Sequence, residues 1–140
     1  MVIGFKERFI EKINDGTKIH TIRVDKHDRW KSGMKMHMAT GVRTKKYHQF
    51  DERICIGVQN ISILYQKPYY KKGKCYQDVF IFIDNHFFGE ANFVENAIYC
   101  YDSKIKELSI NDGFYDEIEF FKWFNKDFNG KIIHWTNKRY

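Results

Sequence analysis

The chain has 140 residues, 18% of them aromatic, and a net charge of +6 from 24 Lys and Arg against 18 Asp and Glu. That length suits a single domain over residues 1–140 with its own core, and the aromatic content excludes a disordered chain. One proline excludes a polyproline ligand, no apolar run nears the ~20 residues of a membrane span, and three widely spaced cysteines exclude a disulfide scaffold or a structural zinc site.

In chain order, Phe5, Phe9, Ile10 and Ile13 recur at helical spacing, with Lys6, Glu7, Arg8, Glu11 and Lys12 on the other face. This predicts a short amphipathic helix, ended by Asn14-Asp15-Gly16 with Gly16 as its left-handed terminal residue. Residues 19–24 (IHTIRV) alternate and are β-branched, so they predict a strand. Polar residues around Trp30 read as a loop. Met34, Met36 and Met38 then face one side of a second strand, as a core stripe or a ligand surface, with core packing the simpler reading.

Residues 41–52 read as a basic loop, residues 54–64 as a long or bent strand, and residues 65–77 as a flexible hairpin loop. Val79-Phe80-Ile81-Phe82-Ile83 is the strongest strand, followed by a turn at Asp84-Asn85 and a return beginning at His86. Residues 89–105 carry no clear pattern. A short helix is expected over 105–110 and another from Asp116, where Asp116 and Glu119 have capping-box spacing. Residues 131–135 (KIIHW) predict a last strand. The sum is α+β, with about six strands in a small, mostly antiparallel barrel and two or three short helices beside it.

The charge is unevenly spread. Residues 17–83 carry a strong basic excess and residues 84–128 an acidic one, with ten acidic against four basic groups in the latter. These blocks are interleaved with aromatics and so belong to folded surface. Arg43, Lys45, Lys46 and Tyr47 are the best candidates for contacting a nucleic-acid backbone and stacking on a base; a solvated loop is the plain alternative. Lys67-Pro68-Tyr69-Tyr70-Lys71-Lys72 repeats the mixture. The six histidines show no metal-binding spacing, so no metal or other cofactor is expected. Reduced cysteines and the lack of a signal-like start suggest a cytoplasmic protein.

The most informative segment is Gly16-Thr17-Lys18-Ile19-His20-Thr21-Ile22-Arg23. In a regular strand Thr21 and Arg23 share one face and Lys18 and His20 the other, so Lys18 joins Thr21 only from a turn or bulge. A solvated edge strand is the bland reading. The pattern Gly16-x-Lys18-x-x-Thr21-x-Arg23, before a loop ending Trp30-Lys31-x-Gly33, resembles an ASCH domain of the PUA-like superfamily. So do Leu108-x-x-Asn111-Asp112-Gly113-Phe114 with Phe120-Phe121-x-Trp123-Phe124 after it, and the closing Gly130-Lys131-Ile132-Ile133-His134-Trp135.

The resemblance implies a PUA-like β-barrel and a cleft lined by the Gly-Lys-Arg motif that takes RNA, a nucleotide or a modified nucleoside. Gly16, Lys18, His20, Arg23 and Trp30 are the ligand-binding candidates that follow. Where the wider ASCH pattern has Glu, this chain has Thr21, which is similar to the N4-acetylcytidine amidohydrolase subgroup. There the matching Lys18 and Thr21 would act in catalysis, and the position matching the subgroup's acid holds Asp112, one methylene shorter than the usual Glu. Three functions stay open: nucleotide or RNA binding, hydrolysis of an N-acylated nucleoside with Thr21 as nucleophile and Lys18 as base, and a protein-interaction module. Trp123 and Trp135 read as core.

Overall fold

A computed structural model describes residues 1–140. Its first strand, β1 (Val2–Gly4), is too short to stand out in the sequence. The helix expected next forms as a 3-10 turn (Glu7–Phe9) continued by α1 (Ile10–Asn14). Phe9 and Ile13 are buried, as their spacing requires, and Gly16 adopts φ +82°, which strains any residue with a Cβ. The chain then enters β2 (His20–Arg23).

In β3 (Lys35–Thr40) Met36 and Met38 are fully buried while Lys35 is exposed, so the methionine stripe packs the core. The basic loop is shorter than the sequence suggested. Its second half is β4 (His48–Ile54), paired antiparallel with β3. That strand lacks an apolar face, and charge pairs across and along it take the place of hydrophobic alternation: Lys35 Nζ lies 3.2 Å from Glu52, and Arg53 Nε 2.7 Å from Asp51.

After β5 (Gly57–Tyr65), the expected flexible loop is instead β6 (Tyr69–Lys71) and the start of β7 (Lys74–Ile83). Lys72 and Gly73 between them both have positive φ, the geometry of a tight hairpin turn, which the lysine-rich composition disguises. Asp84-Asn85 turns in the same way, as expected, into β8 (His86–Val94), and Glu95-Asn96 into β9 (Ala97–Tyr99). The unpatterned stretch thus holds the end of β8 and all of β9.

Helix α2 (Ser103–Asn111) starts earlier than its apolar residues indicate, because Asp102 caps it by accepting the Lys104 N–H at 3.0 Å. In α3 (Glu117–Trp123) Asp116 accepts the Glu119 N–H at 2.9 Å, and the Glu119 carboxylate accepts the Tyr115 N–H at 2.6 Å. The last strand is β10 (Phe128–His134).

Ten strands therefore form where about six were expected. Seven make an antiparallel sheet in the order β2-β10-β5-β7-β8-β9, with β6 paired to β7. The others form β1-β3-β4, in which β1 runs parallel to β3. The architecture is α+β, a curled antiparallel sheet with short helices against it. Ile61, Ile63, Val79, Ile81, Ile132 and Ile133 from the sheet meet Ile105, Leu108 and Phe120 from the helices in one buried cluster. Packing, not length, holds helices this short. No helix is long and apolar enough to cross a membrane.

Candidate functional site

The placement of Lys18 decides whether the motif can be a site. Its own N–H donates to the Lys12 carbonyl at 2.8 Å, and the Ile19 N–H donates to the Asn111 carbonyl at 2.9 Å. The turn before β2 is thereby pinned to both α1 and the end of α2, and Lys18 escapes the alternation of the strand. Lys18, Thr21, Arg23 and Asp112 line one cavity of about 190 Å³.

Lys18 is only 2% exposed, and its Nζ donates to the Asp112 backbone carbonyl and, at 3.1 Å, to Asp112 Oδ1. Burial pushes the ammonium down to about 8, although Asp112 pulls it back up. Burial likewise opposes the Asp112 carboxylate, yet the Lys18 charge beside it holds it below the ordinary carboxylate range. Gly113 permits this closeness: at φ +94°, a Cβ there would stand 2.7 Å from Lys18 Cδ and 2.9 Å from the Phe9 ring. The Asn-Asp-Gly sequence at the end of α2 thus has a physical reason.

Thr21 is buried, and its Oγ1 accepts a hydrogen bond from Arg23 Nε at 3.1 Å. Arg23 also donates through Nη2 to the Gly4 carbonyl and lies 5.0 Å from the Phe5 ring centroid. Most of the rest of the wall is aromatic, from Phe5, Phe9, Phe114, Trp123, Phe124 and Phe128, with Ile22 and Val24 completing it. Trp123 is 45% exposed, so it is a cavity wall and not the core residue its spacing suggested. A polar cavity of about 360 Å³, with Lys26, Asn60, Asn129 and Lys131 on its lining, shares Val24 with the first.

His20 does not line the cavity. Its ring is buried behind Asp112, with Nε2 2.6 Å from the Tyr140 hydroxyl. That hydroxyl also accepts from Asn111 Nδ2 at 2.9 Å, so it joins His20 to the end of α2. Nδ1 lies 3.3 Å from Asp112 Oδ1, near enough for attraction but off the line of a hydrogen bond. Register sets His134 of β10 opposite His20, and His134 Nε2 donates to Gln59 Oε1 at 3.0 Å. Burial lowers His20 and pushes His134 down to about 3. The sequence carried no sign that Tyr140, Asn111, Gln59 and two histidines form one network, because its members are far apart in the chain.

Gly16 sits in the turn after α1 and Trp30 is buried in the core, both outside the cavity lining. Arg43, Lys45 and Lys46 are exposed without ion pairs, and Tyr47 is exposed beside them. This loop is anchored near the cavity: Val42 would stand 3.1 Å from a Cβ on Gly4, the residue whose carbonyl holds Arg23. No group of three or more metal-ligating side chains comes together. No known family, curated protein or solved structure matches the chain, so the chemistry of the site rests on its own geometry.

Proposed function

We propose that the protein is a PUA-like barrel of the ASCH type whose cavity receives one base of an RNA, a nucleotide or a modified nucleoside. The observation that carries this reading is the convergence of Lys18, Thr21, Arg23 and Asp112 within aromatic walls. Aromatic faces stack on a base, and the polar groups can bond its edge. At about 190 Å³ the space lies below the ~300–1,000 Å³ of pockets for drug-sized ligands, so it suits one ring. The adjoining polar cavity, with Lys26 and Lys131, then takes sugar and phosphate, and Arg43, Lys45 and Lys46 take flanking phosphates.

The test is titration with cytidine and N4-acetylcytidine, followed by Trp123 emission and by NMR shifts around Lys18. Saturable changes that Arg23→Ala removes support base binding. Unchanged spectra with both nucleosides would overturn it.

A second reading, hydrolysis of an N-acylated nucleoside, is favoured by one observation: Lys18, held near 8, lines the same cavity as Thr21. At pH 7 about one-tenth of such a lysine is neutral. Neutral Lys18 takes the Thr21 Oγ proton as Oγ bonds to the acyl carbon, and the C–N bond then breaks as Lys18 returns that proton to the leaving nitrogen. Arg23 Nη1, which makes no hydrogen bond within the protein, is the donor for the oxyanion, and water later cleaves the acyl ester. Asp112 positions Lys18. Release of acetate from N4-acetylcytidine, lost in Lys18→Ala and Thr21→Ala, tests this step, and binding without turnover would leave only the first reading.

A further inference from the structure

The largest cavity, about 630 Å³, shares no residue with the one at β2. Strand alternation builds it. Val79, Ile81 and Ile83 of β7 enter the core, which leaves Tyr76 and Asp78 on the opposite face. Register then sets Tyr69 beside Tyr76, Asn92 beside Asp78, and Tyr99 beside Asn92. Glu90 lies two residues from Asn92 on β8 and so shares its face, and Tyr101 and Asp102 at the start of α2 line the same cavity.

Two properties of this lining point to a cation. The Tyr69 and Tyr76 rings stack at 5.4 Å and 12° into a flat wall, and Tyr99 and Tyr101 are exposed beside it. Such ring faces attract ammonium groups and pack against methylenes. The carboxylates of Asp78, Glu90 and Asp102 line it too, and none has a cationic partner, in a chain of net charge +6 that forms seven Lys or Arg ion pairs elsewhere. Lys71, Lys72 and Lys74 lie on the adjoining hairpin and still do not pair with them. Asp78 accepts from Asn92 Nδ2 at 2.6 Å and Asp102 caps α2, while the Glu90 side chain makes no hydrogen bond in the protein.

The three acids do not gather around one point as metal ligands would. Register sets Glu90 two positions along β8 from the partner of Asp78, and Asp102 stands apart at the cap of α2, which matches charges spaced along an alkyl chain. We propose that this cavity binds a linear polyamine, its ammonium groups against Asp78, Glu90 and Asp102 and its methylene segments on the tyrosine faces.

The experiment is calorimetric titration of the full chain with spermidine at low ionic strength. One saturable site is expected, with Tyr76 and Tyr99 ring signals shifting in parallel NMR spectra. Glu90→Gln and Tyr101→Ala alter exposed side chains without hydrogen bonds and so leave the fold intact. Each is expected to weaken spermidine about three- to fivefold, the scale of one exposed charge pair or cation–π contact. Thr21→Ala, in the other cavity, is expected to bind spermidine unchanged. No saturable binding, or affinity equal to the parent's in both Glu90→Gln and Tyr101→Ala, would overturn the proposal.

Discussion

Asp112 Oδ1 lies 3.1 Å from Lys18 Nζ and also 3.1 Å from the backbone nitrogen of Ile22. One oxygen at the end of α2 thus fixes both the turn before β2 and the strand itself. The pair sits at the inner end of an aromatic cavity, where water screens little, so each partner controls the protonation of the other. Structure and chemistry meet in this contact: what holds β2 to α2 also keeps a lysine between its charged and neutral forms.

Asp112→Ala strands the Lys18 ammonium among aromatic rings. Loss of one partner of a buried pair typically costs about 3–5 kcal/mol, and that is the expected loss in urea unfolding at neutral pH. Asp112→Asn keeps an acceptor for the Ile22 N–H and is expected to lose less. Because Asp112 raises Lys18, its loss lets Lys18 shed its proton earlier, so the penalty shrinks as the pH rises towards 8. An Asp112→Ala protein as stable as the parent would mean the contact is dispensable.

Lys72 opens the β6–β7 turn at φ 50°, in the left-handed region that costs an ordinary side chain roughly 1–2 kcal/mol. Asn tolerates this conformation, and Asn-Gly is the favoured pair for such a turn. Lys72→Asn is expected to stabilise the protein by about 0.5–1 kcal/mol in the same unfolding assay. A neutral or negative change would show that the Lys72 side chain has a compensating contact.

The sequence made those parts of the fold legible whose signal is local. The Met36 and Met38 stripe, the Asp84-Asn85 turn and the Asp116 cap each depend on neighbours a few residues away, and each forms as expected. β4 and β6 were hidden because exposed edge strands need no apolar face; charge pairs and a positive-φ turn do the same work. Of the proposed ligand contacts, Lys18, Thr21 and Arg23 reach one cavity with Asp112, whereas the Trp30 indole is taken by the core and the His20 ring by Tyr140. Which way His20 turns depends on a residue 120 positions away, a relationship no local pattern encodes.

The buried histidines make stability depend on pH. Burial lowers His134 from 6.5 to about 3, so between these values the unfolded chain binds a proton that the folded chain refuses. Stability is therefore fully present above pH 6.5 and falls as the pH drops through that window, with His20 acting in the same direction. His134 alone is expected to remove about 2 kcal/mol between pH 7 and pH 5. Urea midpoints across this range check it, and His134→Gln is expected to flatten the curve. A parent protein equally stable at both pH values would contradict the burial of a neutral His134.

The sharpest test of hydrolysis is the pH dependence of its rate. If neutral Lys18 takes the Thr21 proton, kcat/KM for N4-acetylcytidine rises about tenfold per pH unit at low pH and levels off near 8. Asp112→Asn removes the charge that raises Lys18, so the rising limb moves to lower pH even where the maximum rate falls. A residue acting only on the fold would lower the curve without moving it. Thr21→Ser keeps the nucleophile and is expected to retain turnover, whereas Thr21→Val keeps the shape, binds the nucleoside and releases no acetate. Acetate release that survives Thr21→Val, or a rate flat with pH below 8, would remove Thr21 and Lys18 from the chemistry and leave the cavity as a binding site alone.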